Sequence, residues 1–102
     1  MGEFIHQFAE PFVDEDAGGM QYEIRVYGAQ QEGRWEGWIE FHAPGDVRRT
    51  DVETSQETRR DLSFWATGLS PVFLEGAWER ALPVHGIDEE DVPAMVPPPP
   101  EP

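Results

Sequence analysis

The stretch QYEIRVYGAQQEGRWEGWIEFH, residues 21–42, decides the fold. In its first half Tyr22, Ile24 and Val26 alternate with Glu23, Arg25 and Tyr27, the period of two of a half-buried strand. In its second half Trp35, Gly37, Ile39 and Phe41 alternate with Glu36, Trp38, Glu40 and His42. Between them AQQEG, 29–33, reads as a five-residue turn in which Gly33 supplies a permissive backbone. Two alternating runs joined by a short turn predict an antiparallel hairpin. APGD, 43–46, marks another turn. VRRTDVET, 47–54, alternates weakly and reads as a third strand that completes a meander.

Two helices are predicted to follow. Thr54 stands three residues before Glu57, the spacing at which each side chain reaches the other's backbone amide, so a helix is expected over 55–68. Leu62, Trp65, Ala66 and Leu69 form its apolar stripe, and Gly68 suits a left-handed end. Ser70–Pro71 has the form of a new cap and first helical residue, predicting a second helix over 71–82. Its stripe is Leu74, Ala77, Trp78, Ala81 and Leu82, although Gly76 costs about 1 kcal/mol relative to Ala. A strand over PVFLEG is the competing pattern. The least polar run of the chain, 64–82, thus divides into two core-facing stripes, with Phe64 and Phe73 at their margins. The expected fold class is α+β: a three-stranded antiparallel meander over 21–54, one face covered by two short helices. Its expected core is Tyr22, Ile24, Val26, Trp35, Ile39, Phe41, Leu62, Trp65, Leu69, Leu74 and Trp78.

Composition changes on both sides of this body. Residues 1–20 read as an acidic N-terminal arm in which Phe4, Phe8 and Phe12 recur at helical spacing until Pro11 interrupts, followed by the acidic connector DEDAGG, 14–19. Residues 21–83 form the single domain, and 84–102 an acidic, proline-rich tail. The chain has 102 residues and a net charge of −14. Residues 1–20 and 83–102 each hold five acids and no Arg, whereas 21–82 hold eleven acids against all seven Arg. There is no Lys to assist those arginines, so a phosphate backbone would be repelled and direct nucleic-acid binding is not expected. A basic partner suits the charge. The chain has no Cys, which excludes disulfides and thiolate metal sites. No apolar run approaches a membrane span, and MGEFIHQFAE lacks the basic and apolar regions of a secretory signal, so the expected compartment is the cytoplasm.

Chemistry-bearing motifs are sparse. His6, His42 and His85 have no ligand spacing, and neither DEDAGG nor IDEEDV matches a calcium loop. There is no nucleophile elbow and no phosphate-cradling glycine loop, so no catalytic residue, metal site or cofactor is expected and the chain does not read as an enzyme. Two places invite a partner. Trp38 shares a strand face with Glu36 and Glu40, opposite the core. It stands either as an exposed anchor, through which the chain could also self-associate, or beneath Phe4, Phe8, Phe12 or Arg25. The tail offers Asp88, Glu89, Glu90 and Asp91, then Met95 and Val96, then four prolines, the form of a short linear motif.

EFHAPGDVRRTDVETSQETRRDL, 40–62, resembles the core of HicB-type antitoxins in Phe41, Pro44, Gly45, Thr54 and Glu57, and in the hairpin that precedes them. It departs in Asp46, where the family often has Cys, and in a C-terminus of acids and prolines where the family has a DNA-binding tail. The resemblance implies a small domain that masks a basic, RNA-cleaving toxin. The expected function is a non-enzymatic interaction protein (an acidic adaptor, inhibitor or antitoxin-like subunit) that binds a basic protein partner. The alternative is a small-molecule-binding or catalytic domain with a pocket between sheet and helices.

Overall fold

The computed structural model describes residues 2–84. The chain forms β1 (Glu3–Gln7), β2 (Phe12–Asp14), β3 (Met20–Gln31), β4 (Arg34–Ala43), β5 (Asp46–Arg49), β6 (Thr54–Gln56), α1 (Arg59–Thr67), α2 (Pro71–Arg80) and β7 (Leu82–Pro83). The class is α+β, with a seven-stranded antiparallel sheet and two helices. Strand order is β1-β3-β4-β5-β7, with β2 also on β3 and β6 also on β4. Among the described residues no helix is long and apolar enough to cross a membrane.

The β3–β4 hairpin forms as the alternation predicts, with Ile24 opposite Phe41 and Val26 opposite Ile39. Its turn is tighter than the predicted five residues. Only Glu32 and Gly33 lie outside the strands, at φ of 52° and 79°. Positive φ at both positions matches the twist of the flanking strands. Pairing therefore continues through Ala29, Gln30 and Gln31.

So long a hairpin leaves backbone donors and acceptors along both outer edges, and these must be paired or solvated. The N-terminal residues pair one edge. β2 lies along Met20–Tyr22 and β1 along Arg25–Gly28, with a bulge between Phe4 and His6. The helical spacing of Phe4, Phe8 and Phe12 is thus overturned, and the residues read as an arm supply two strands. On the other edge the predicted third strand divides in two. β5 pairs Glu40–Ala43 and β6 pairs Trp35–Gly37. Thr50, 2% exposed, joins them. Its hydroxyl accepts from the Ile39 amide at 3.1 Å and donates to the Asp51 carbonyl at 2.8 Å, while its own amide donates to the Ile39 carbonyl.

Because Thr54 is in a strand, it does not cap a helix with Glu57. Thr58 caps α1 instead, accepting from the Asp61 amide at 3.0 Å. Gly68 ends α1 at φ −95° rather than in the left-handed region, since Ser70 immediately begins the next helix. The Ser70 hydroxyl accepts from the Phe73 amide at 3.1 Å and Pro71 occupies the first turn, as expected. α2 stops at Arg80. Leu82 leaves its predicted stripe, pairs with Arg49 in the sheet and is 70% exposed.

Two contacts seat the helices. Gly28 and Gly37 face each other across the hairpin, and the Leu62 side chain enters the space their missing side chains leave. A Cβ at Gly37 would stand 2.5 Å from a Leu62 methyl, and one at Gly28 would overlap the other methyl. Farther along, Trp78 of α2 stacks on Phe12 at 4.6 Å, with Tyr22 at 4.7 Å, Phe41 at 5.2 Å and the Arg48 guanidinium 4.9 Å from its ring. Trp35 was expected in the core but is only half-buried and lies outside the buried cluster, beyond the reach of both seats.

Tyr22 ties this aromatic group to the β4–β5 turn. Its hydroxyl donates to Asp46 Oδ2 at 2.5 Å, and Arg48 Nε donates to the same oxygen at 3.3 Å. The Tyr22 hydrogen bond, aided by Arg48, holds the Asp46 carboxyl below its ordinary 3.8 against the opposing effect of burial. The same bond, with burial, raises the Tyr22 phenol above 10.0.

Two outcomes follow from these contacts. Gly37→Ala should cost about 1–3 kcal/mol by overpacking, and Leu62→Ala about 2–5 kcal/mol by emptying the socket. In urea denaturation the double variant should lose less than the two costs combined, because the added methyl occupies the vacated space. Asp46→Ala should lose about 1–3 kcal/mol at pH 7, where it leaves the Tyr22 hydroxyl without its acceptor. A lowered folded pKa contributes stability that is complete above the unfolded value and fades as pH falls through the folded one. The gap between parent and Asp46→Ala in urea midpoints should therefore narrow below pH 3.8.

Candidate interaction surface

The helices cover one face of the sheet, so the alternate residues of β3 and β4 occupy the other. Phe4, Tyr27 and Trp38 form one cross-strand row, Gln7, Arg25, Glu40 and Arg49 a second, and Glu23, His42 and Val47 a third. Although neither helix of the described residues lies over this face, Trp38 is only 8% exposed. Arg49 from β5 stacks 4.9 Å from its ring centroid. Gly2 lies so close that a Cβ there would meet the indole at 2.5 Å. Trp38 is therefore a covered residue and not an open anchor, and its cover is neither a phenylalanine nor Arg25. The diagonal from Arg49 to Trp38 exists only in the β4–β5 register, which the weak alternation of 47–54 does not reveal.

Glu40 organises this row. One carboxylate oxygen accepts from the Trp38 indole N–H at 2.8 Å, and the other lies 2.8 Å from His42 Nε2. Glu36, two residues earlier, is half-buried opposite Ala29 and Ser55. The structure thus brings Glu36, Trp38 and Glu40 onto one face, with Glu40 already engaged within the chain. Asp88, Glu89, Glu90, Asp91, Met95 and Val96 lie outside the described residues, as does His85. His6 packs edge-on against Phe8, and among the described residues no three metal-ligating side chains converge.

All seven arginines have partners within the chain. Arg25, Arg48, Arg59 and Arg80 pair with Glu23, Asp46, Glu3 and Glu53. Arg34 donates to the Ser55 hydroxyl and carbonyl. Arg49 and Arg60 stack on Trp38 and Phe64, and Arg48 and Arg80 also stack on Trp78 and Phe73. Residues 2–84 hold sixteen acids, so twelve carboxylates have no arginine partner among the described residues.

Two grooves flank residues 8–11, the loop between β1 and β2. On the open face a groove of about 520 Å³ has a mixed lining, polar from Gln7, Gln21, Glu23, Arg25 and His42 and apolar from Phe8, Ala9, Pro11, Ala43 and Pro44. On the helical face an apolar groove of about 350 Å³ lies among Phe8, Phe12, Ile24, Leu69 and Leu74, with Glu10 its one charged residue. A pocket between sheet and helices was expected only as an alternative and without lining residues, and the open-face groove was not expected, because each depends on the loop between β1 and β2 lying beside the sheet and not within a helical arm. No protein family, curated protein or solved structure matches this chain.

If Glu40 holds the Trp38 ring, the Trp38 indole proton should exchange slowly with solvent, and Glu40→Ala should accelerate that exchange by about tenfold or more, since a net bond of about 1.5–3 kcal/mol to a charged group is lost. The resolved indole resonances in ¹H–¹⁵N spectra measure this directly. An unchanged rate would remove Glu40 from the role assigned to it.

Proposed function

We propose that the protein is a non-enzymatic interaction subunit that binds a basic protein partner through its acidic surface. The observation that supports this most strongly is the internal engagement of all seven arginines beside twelve carboxylates that lack an arginine partner among the described residues. Such a surface repels nucleic acid and attracts cationic protein over a Debye length, about 10 Å at 0.1 M salt. The tail acids Asp88, Glu89, Glu90 and Asp91 add to the same field and belong to the proposed contact, with Met95 and Val96 as its apolar element. Glu36, at the rim of the covered Trp38, is the open-face residue proposed to meet the partner.

An adaptor, an inhibitor and an antitoxin-like subunit all fit this reading. The Pro44–Gly45 turn into β5 favours the antitoxin-like form, although β4 runs past Phe41 to Ala43. The capping role of Thr54 and Glu57 does not, since Thr58 holds it. A second reading, a small-molecule-binding domain, draws on the apolar groove between sheet and helices.

Retention of a partner from native lysate by the full chain tests the proposal. The partner should be basic and should elute as salt rises. A full-length variant with Asp88→Asn, Glu89→Gln, Glu90→Gln and Asp91→Asn should retain it less well and with a shallower salt dependence. Absence of any basic partner at low salt would refute the reading.

A further inference from the structure

We infer that the apolar groove between residues 8–11 and the α1–α2 junction docks a basic amphipathic segment of the partner, whose apolar side chains enter the groove while its cations lie against the acidic rim. The inference rests on the acidic-partner reading and gives it a place. Phe8, Phe12 and Ile24 form the sheet side of the groove, and Leu69 and Leu74 the helix side. A cavity of about 150 Å³ accepts a benzene, so 350 Å³ accommodates two large apolar side chains. Val72, next to the lining residue Pro71 in the sequence, is 77% exposed.

Shape and charge choose the occupant. The groove is open along one side, whereas small-molecule sites bury about 70–90% of their ligand. A chain segment fills an open groove and keeps its polar side in water. Glu10 lines the groove, Glu75 is exposed beside Leu74 in the sequence, and no arginine lines it. A second copy would bring a net charge of −14 to this rim, and the chain's own tail would bring four consecutive acids. Both are repelled, and a cationic segment is attracted.

The full-length protein, ¹⁵N-labelled, is titrated with a synthetic arginine-rich peptide carrying two leucines one helical turn apart. Controls replace both leucines with serine, or every arginine with glutamate. Amide shifts should centre on Phe8, Phe12, Leu69 and Leu74, and the serine peptide should bind about tenfold or more weakly, a change of about 1.4 kcal/mol. Ala9→Arg and Glu10→Lys alter exposed loop residues and spare the core. Each should weaken the leucine peptide severalfold, and Ala9→Arg should do so even at high salt, where only the blocked groove matters. Equal affinity for leucine and serine peptides, or shifts confined to the Trp38 face, would overturn the groove assignment while leaving the acidic-partner reading intact. Equal affinity for the glutamate peptide would overturn the cationic occupant. Shifts at the groove that grow with protein concentration alone would assign it to a second copy and overturn the inference. Failure of the lysate experiment, by contrast, refutes the acidic-partner reading itself.

Discussion

The socket formed by Gly28 and Gly37 governs how the helical layer meets the sheet. Two side chains are absent at directly opposed positions of the longest strand pair, and Leu62 occupies the gap. A well-packed interior tolerates neither a void nor an overlap of this size, so the position of α1 is set to within a side chain. α2 then lies where Trp78 can reach Phe12, Tyr22 and Phe41. Leu62, Ala66 and Ala77 are fully buried, and the two alanines let the helix backbones approach the sheet closely.

Hydrogen-bond accounting explains the number of strands. A hairpin with outer edges as long as those of β3 and β4 needs partners on both sides, and each side is met by two short strands rather than one long one. β1 and β2 share β3, separated by the loop that creates both grooves. β5 and β6 share β4, separated by the Thr50 crossing. Short, interrupted outer strands limit pairing with other chains. Arg59 adds to this at β1, where it donates to the Phe4 carbonyl and pairs with Glu3.

What was legible in the sequence was local. The alternation of 21–42 and the Ser70–Pro71 cap need no distant residue, and both appear as read. The N-terminal strands were illegible for a definite reason. A spacing of four residues, as in Phe4 and Phe8, satisfies a helix and also an even-period strand, and the bulge after Phe4 then sends the two rings to opposite faces. Thr54 and Thr58 each precede an acid by three residues, so both have capping form. Only the demand of the β4 edge for a partner distinguishes them. The cover over Trp38 is of the same kind, since Arg49 reaches it through a register that no local pattern encodes. Of the candidate site, the acidic character was readable, a pocket between sheet and helices stood only as an alternative, and the residues that line the grooves were not readable.

The manner in which the arginines are used links the fold to the proposed role. An arginine paired with a carboxylate neutralises that acid locally, whereas one stacked on an aromatic ring keeps its charge but leaves no acid locally neutralised. Among the described residues Arg49 and Arg60 take the second course alone, and Arg34 binds only neutral oxygens. Exposed ion pairs contribute about 0–1 kcal/mol and cation–π contacts about 0.5–2 kcal/mol, so stability does not require one arrangement over the other. Directing three of seven cations to neutral partners leaves more individual carboxylates without a counter-charge in contact, while the net charge is the same as it would be with every arginine paired. Carboxylates without a local counter-charge remain open to the cationic partner proposed above, to which the groove beside residues 8–11 would add the apolar contact that charge alone cannot.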